Sequence, residues 1–405
     1  MVKKKYLFTP GPTPIPPEVS LAEAQPIIHH RTPEFSAIIA QVKEDLKYLF
    51  QTTQGEVYTF SSSGTGGMEA CVANLLTRKD RALVVRGGKF GERWGELCEA
   101  YGVKTIYVDA EWGKAVEPSA IDKALKKDKS IKAVFITHCE TSTGVINDIE
   151  SIVQVVHSYP VLLVVDAITT VGIQPFLMDQ WKIDVAVTGS QKGCMLPPGL
   201  AFVAVRPEAW KAIEKADLPR YYWDLREMRK SLEKDTTPFT PAVSLVRALK
   251  VALDMMKEEG LEAIWRRHAR LAHATREAIK ALGLELFAQS PCNILTAVKV
   301  PKGLDGVGLV KRLRDKYGVS IAGGQGEELK GKIFRVAHVG YMNDFDIITA
   351  ISAIEKGLHE AGYPIEVGKG VATAHALLID SASKGAVTAI SEKKSRVEVT
   401  LNPKT

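Results

Sequence analysis

The stretch "DVAVTGSQKGC", residues 184–194, sets a short apolar run directly before a lone lysine among small residues. The run reads as a buried strand. Lysine is rarely buried unless something pairs or reacts with it, so Lys192 asks for a partner. Further runs of the same kind lie on either side: "EVYTF", "RALVV", "KTIYV", "KAVFIT", "VLLVVD" and "LAFVAV", between about 56 and 205. Amphipathic stretches such as "ERWGELCEAYG" and "IESIVQVVHSYP" separate several of them. Short β-branched runs alternating with helices predict an α/β fold with a mostly parallel sheet covered on both faces. Ligands of such sheets bind at the C-terminal ends of the strands.

Beyond about 240 the pattern changes. A long helical segment with Gly260 as a break leads into "NILTAVKV", "GVGLVKRLRDKYG", "KIFRVAHV" and "FDIITAISAIEKGLHEAG", which predict a smaller α+β domain. We divide the chain into an N-terminal arm (1–17), a large domain (18–258), a small C-terminal domain (259–366) and an extension (367–405) rich in Ala, Gly and Ser. The terminal position of that extension favours mobility. The 405 residues are 45% hydrophobic and 25% charged, enough to bury a large core. The net charge of +6 is scattered among acids, with no basic stripe interleaved with aromatics, which argues against nucleic acid. No apolar run is long enough to span a membrane, and prolines interrupt the basic start before any signal-like apolar region forms. Five cysteines without a C-x-x-C or zinc spacing predict a reduced, cytoplasmic setting and no metal site.

Asp166 ends "VLLVVD", and Lys192 follows the next strand. Neighbouring strands would thus present a carboxylate and an amine at one sheet edge, although Asp166 alone could be a helix cap or turn residue. The pair suits pyridoxal phosphate. An amine joins the cofactor aldehyde, and a carboxylate keeps the pyridine nitrogen protonated. "SSSGTGGMEA" (61–70) supplies a phosphate cradle at a helix start, with Ser63, Gly64 and Thr65 as candidates. A dinucleotide fingerprint fits worse, because position 69 is Glu where the third glycine belongs. Phe90 in "GGKFGERW" is placed to stack on a ring or to pack in the core. Thr141 and Ser142 in "THCETSTG" could bond the ring oxygen or cap their loop, and His138 reads better as a structural histidine than as a base. Arg335, inside the apolar strand "KIFRVAHVGY", wants either a substrate carboxylate or an internal salt bridge.

Together these segments resemble the class V aminotransferases of fold type I, in particular the alanine–glyoxylate, serine–pyruvate and serine–glyoxylate group. The resemblance runs over about residues 8–358, through "FTPGPTPIPPEV", "HHRTPEF", "SSSGTGGMEA", "THCETSTGV", "VVDAITTVG", "TGSQKG", "TPFTPAVSL" and "FRVAHVGY". It implies a seven-stranded sheet, pyridoxal 5'-phosphate as cofactor, amino acid and 2-oxo acid substrates, and a homodimer with shared active sites. It gives Lys192 the covalent role and Asp166 the pyridine nitrogen. Ser63, Gly64, Thr65 and Gln191 receive the phosphate, Phe90 the stacking position and Thr141 a ring contact. Arg335 takes the substrate carboxylate, with Gly11 and Arg31 also on the substrate side. Thr237 or Thr240, in "TTPFTP", would cross to the partner's phosphate. A small donor, alanine or serine, passing its amino group to glyoxylate or pyruvate is the implied reaction.

Other readings share the scaffold. Phosphoserine aminotransferases use a His-Arg pair for a substrate phosphate, which His30 and Arg31 leave open, and aspartate is another candidate donor. Desulfurases carry a histidine before the lysine and a cysteine on a mobile small-domain loop, whereas Gln191 precedes Lys192 here and "SIAGGQGEELKGK" has no cysteine. A lyase, or a non-catalytic binding subunit such as one associated with a hydrogenase, completes the alternatives.

Overall fold

The computed structural model describes residues 4–379. Its strands are β1 (Tyr6–Phe8), β2 (Glu56–Phe60), β3 (Arg81–Arg86), β4 (Lys104–Asp109), β5 (Ile131–Thr137), β6 (Cys139–Glu140) and β7 (Val145–Ile146). They continue with β8 (Leu162–Asp166), β9 (Val185–Gly189), β10 (Ala201–Val205), β11 (Leu295–Lys299), β12 (Val319–Gly323) and β13 (Ile333–Ala337). Seven of them form the large sheet in the order β2-β10-β9-β8-β5-β3-β4. Only β10 opposes its neighbours; all the other pairings in this sheet are parallel.

Alternation of side chains along each strand feeds a core on each face. Leu163, Val165 and Ala186 point to one core, shared with helices Pro33–Phe50, Ile149–Val156 and Val243–Glu259. Val164, Val185 and Val187 point to the other, shared with helices Gly64–Leu75 and Lys89–Ala100. β9 and β10 are buried along their whole length, which explains their unbroken apolar sequences. Strand order reverses between β3 and β5, since the chain steps outward from β3 to β4 and then inward through β5, β8 and β9. A ligand crevice belongs at the C-terminal edge beside such a reversal.

The second sheet has the order β1-β12-β13-β11. Its outer strand comes from the start of the chain, with Tyr6, Leu7 and Phe8 pairing in parallel with Val319, Ser320 and Ile321. The N-terminal arm is therefore woven into the small domain's sheet. The long helical segment does break at Gly260, whose φ of +81° is costly for other residues. Helix Val243–Glu259 stays with the large core, and Leu261–Ala281 reaches the small one through Leu271, Ala274, Ala278 and Ile279. A helix over 369–379 seats Ala374 and Leu378 in that small core, so the first part of the extension is docked. The remainder of the extension lies outside the described residues. Among the described residues no helix is long and apolar enough to cross a membrane.

Candidate active site

Five loops leaving the C-terminal edge of the large sheet converge on one cleft. The loop after β2 brings Ser63, Gly64 and Thr65, and the loop after β3 brings Phe90. The segment after β5 brings Cys139 and Thr141, β8 ends on Asp166, and Gln191 and Lys192 follow β9. Arg93, Ile168 and Thr169 complete the lining. β8 and β9 are adjacent and parallel, and this is what sets the Asp166 carboxylate and the Lys192 amine at one edge.

Lys192 lines the cleft while its amine is walled in by protein. Nζ donates to the Pro10 carbonyl at 2.8 Å, and Thr13 Oγ1 donates to the Lys192 carbonyl at 3.2 Å. Burial lowers its pKa to about 8, against the opposing pull of Asp166, and Arg335 adds to the depression. Gly11 lies over the amine with φ +147°, where a Cβ would come within 2.2 Å of Nζ. Asp166 is buried, and its Oδ1 accepts one bond, from the Ile168 amide at 2.9 Å. Burial pushes its pKa up to about 7, partly offset by that bond and by the charges of Arg93 and Lys192. A buried carboxylate so lightly bonded suits a protonated nitrogen opposite it.

The residues present fit pyridoxal phosphate. Helix Gly64–Leu75 starts at the cleft, and the Ser63 hydroxyl does not cap it, which leaves the helix start to an outside anion. A Cβ on Gly64 would fall 2.6 Å from Ile168, so the cradle needs glycine there for space.

Arg335 finds no internal salt bridge among the described residues. Nε and Nη2 donate to the Gly323 carbonyl, and Nη1 donates to the Thr141 carbonyl and Gln325 Oε1. Burial lowers its pKa to about 10. It adjoins the cleft through Thr141, with its fork largely turned onto backbone carbonyls.

Arg31, which the resemblance put on the substrate side, and Thr237 and Thr240, which it sent to a partner's phosphate, stand away from this chain's own cleft. Arg31 Nη1 donates to Thr236 Oγ1 and to the Thr237 carbonyl, both at 2.6 Å. Thr237 and Thr240 line a separate groove with Thr59, Ser61 and Tyr222. The physical reason is the path of the 236–241 loop, which leaves the sheet edge and packs beside β2. Within one chain these residues do not reach Lys192.

Ser142 is a loop residue that caps: its hydroxyl donates to Glu140 Oε1 and accepts from the Lys89 amide. His138 is structural, buried with Nδ1 at 3.0 Å from Thr170 Oγ1 and its pKa pushed down to about 3 by burial. Cys292 is buried in the core, with its thiol directed at the Leu295 carbonyl, and all five cysteines are buried. None of them offers the exposed thiol that desulfurase chemistry uses.

Sequence reasoning missed Arg93 and Glu140. Arg93 follows Phe90 by three residues on one helix, a spacing that puts both on the same face. Glu140 is buried and accepts from the amides of Phe90 and Gly91, each at 3.0 Å, and from Ser142. No local pattern marks a loop glutamate as buried.

The sequence profile of the Aminotransferase class-V family matches residues 5–329. The soluble hydrogenase small subunit of Synechococcus sp. (strain PCC 6716) is 47% identical over 384 residues, covering 93% of this chain and 99% of that one. The L-aspartate–glyoxylate aminotransferase of Paracoccus denitrificans is 38% identical, covering 92% and 96%. The serine–glyoxylate aminotransferase of Methylorubrum extorquens is 36% identical, covering 93% and 96%. Among solved structures, the ureidoglycine–glyoxylate aminotransferase of Bacillus subtilis superposes with a TM-score of 0.89 at 30% identity, over 93% of this chain and 98% of that one. Profile, relatives and the cleft at the sheet reversal agree: this chain belongs to the class V aminotransferases, and it is a transaminase of fold type I.

Proposed function

We propose that the protein moves the amino group of a small amino acid to glyoxylate or pyruvate in two half-reactions, with pyridoxal phosphate in the cleft. The observation that carries this reading is the pairing of Lys192, with a pKa lowered to about 8, and buried Asp166 at the ends of adjacent parallel strands. Bound there, the cofactor supplies an aldehyde that takes up amino groups and a ring that draws in electrons. Lys192 holds the cofactor and, once released, carries the proton between the substrate α-carbon and the cofactor carbon. Asp166 keeps the ring nitrogen protonated. Ser63, Gly64, Thr65 and Gln191 hold the phosphate, Phe90 covers the ring face and Thr141 meets its edge. Arg335 orients the substrate carboxylate, exchanging its bond to a Gly323 or Thr141 carbonyl for the ligand.

We assign Thr237 and Thr240 to the site of a second copy. Tyr221, 81% exposed, lies tilted against Phe239 at 5.5 Å beside that loop, and Tyr222 stacks on the same ring, an aromatic patch suited to a dimer face. Glyoxylate is named as acceptor in three of the similar proteins, and alanine or serine is our first choice of donor.

The test is absorption spectroscopy of the purified protein with alanine, serine, aspartate, phosphoserine and cysteine singly, without an oxo acid. The expected result is a yellow protein whose band converts to that of the aminated cofactor, fastest with the true donor. A yellow protein that none converts overturns the transaminase reading for these donors. It favours the second reading, a non-catalytic subunit, to which the hydrogenase-named relative points.

A further inference from the structure

We propose that Arg93 is a phosphate ligand of the cleft, adding a charged fork to an otherwise neutral cradle. Its Nη1 donates to Thr65 Oγ1 at 3.2 Å, and its guanidinium lies 5.0 Å from the centre of the Phe90 ring. That is the one hydrogen bond Arg93 makes among the described residues, out of five N–H donors. The neighbouring carboxylates are committed elsewhere: Glu92 pairs with Lys89, Glu140 holds the helix amides, and Asp166 accepts from Ile168. No carboxylate lies within ion-pair distance of Arg93 among the described residues. A guanidinium facing a cleft with donors to spare matches a polyatomic anion, which it can grip with two parallel bonds. An independent feature of the cleft asks for that anion: the uncapped start of helix Gly64–Leu75, beside the Thr65 hydroxyl that Arg93 meets. Stacking against Phe90 fixes the guanidinium plane, so less freedom is lost when the anion binds.

The inference rests on the proposed function only for what carries the phosphate, which is either the cofactor or a phosphorylated substrate. The variants R93Q and R93K separate the cases, with the unliganded melting temperature and circular dichroism showing that each is folded. Inorganic phosphate should raise the melting temperature of the wild type and not of R93Q, whether or not the cofactor binds. In titrations followed by absorbance, R93Q should weaken uptake of pyridoxal phosphate by at least about tenfold, with partial rescue in R93K and no change for pyridoxal, which lacks the phosphate. If uptake is unchanged but saturation by phosphoserine alone is weakened, the phosphate belongs to the substrate and the proposal stands. Equal weakening of pyridoxal and pyridoxal phosphate would mean that Arg93 only shapes the cleft, and would overturn it. So would the same response of wild type and R93Q to inorganic phosphate. A wild type that takes up no pyridoxal phosphate, yet is stabilised by inorganic phosphate through Arg93, would sink the cofactor reading and leave this one intact.

Discussion

Lys192 owes its reactivity to its surroundings more than to its neighbours in sequence. Its amine is neutral above about pH 8, where an exposed lysine would still be charged. Covalent uptake of pyridoxal by the apoprotein should accordingly accelerate through pH 8, in stopped-flow absorbance, and be absent in K192A. An acceleration that waits until pH 10 would show that the amine is not desolvated. Gly11 presses on the same atom, so Gly11→Ala should slow that uptake by ~100-fold by displacing the amine. Asp166 acts on stability with the opposite polarity. Its pKa is raised from 3.8 to about 7, so the folded apoprotein binds this proton more tightly than the unfolded chain does. The benefit is full below pH 4 and lost as pH rises through 7. D166N, which keeps the Ile168 bond and has no charge to bury, should therefore stabilise the apoprotein at pH 8 by up to roughly 4 kcal/mol, measured by urea unfolding. A less stable D166N would contradict the burial argument. Lys192 and Asp166 were legible in sequence because each closes an apolar run. Arg93 was not, since one arginine among the charges of "KFGERWGELCEA" looks like part of a solvated face.

Helix Lys89–Ala100 carries both Phe90 and Arg93, and the Glu140 carboxylate anchors its start from another loop. Gly88, its N-cap residue, has no side chain for the task. A negative charge at a helix start is favourable, and the four bonds into Glu140 partly offset its burial, which still holds its pKa above the usual carboxylate value. Glu140→Gln replaces one accepting oxygen by a donor that faces other donors. It should cost about 1–3 kcal/mol in the denaturant midpoint and alter the absorption band of bound cofactor, because Phe90 loses its placement. An unchanged band would separate helix anchoring from the site. At this scale the seven large-sheet strands, two of the small-sheet strands and the break at Gly260 were readable from period and punctuation, whereas β12 was not. β1 was not: a three-residue strand has too little pattern to announce itself, and its partner lies more than 300 residues away. The 236–241 loop was placed by resemblance alone, as a segment crossing to a partner's phosphate, and within one chain it lines a separate groove.

For the whole molecule, the proposed dimer explains why Arg31, Thr237 and Thr240 gather beside exposed aromatics instead of at their own chain's lysine. Tyr221→Ser combined with Phe239→Ser should shift the protein from dimer to monomer in sedimentation and lower its hold on the cofactor. A monomeric wild type that binds the cofactor fully would remove the need for a second copy.

The parallel pairing of Tyr6–Phe8 with Val319–Ile321 also bears on how the protein is made. The partner of β1 is translated 313 residues after it, by the register Tyr6↔Val319. At ~5–20 residues per second that is a wait of roughly 15–60 s. Until then the segment that lays Pro10 and Gly11 over the Lys192 amine is held only on its large-domain side, by Pro10 and Thr13 against Lys192. The large sheet can assemble during synthesis, but the cover over its lysine gains its second anchor only once β12 has been made. A nascent chain stalled before Val319 should show faster protease cleavage at Tyr6–Phe8 and faster amine labelling of Lys192 than the full chain, because one of the cover's two anchors is missing.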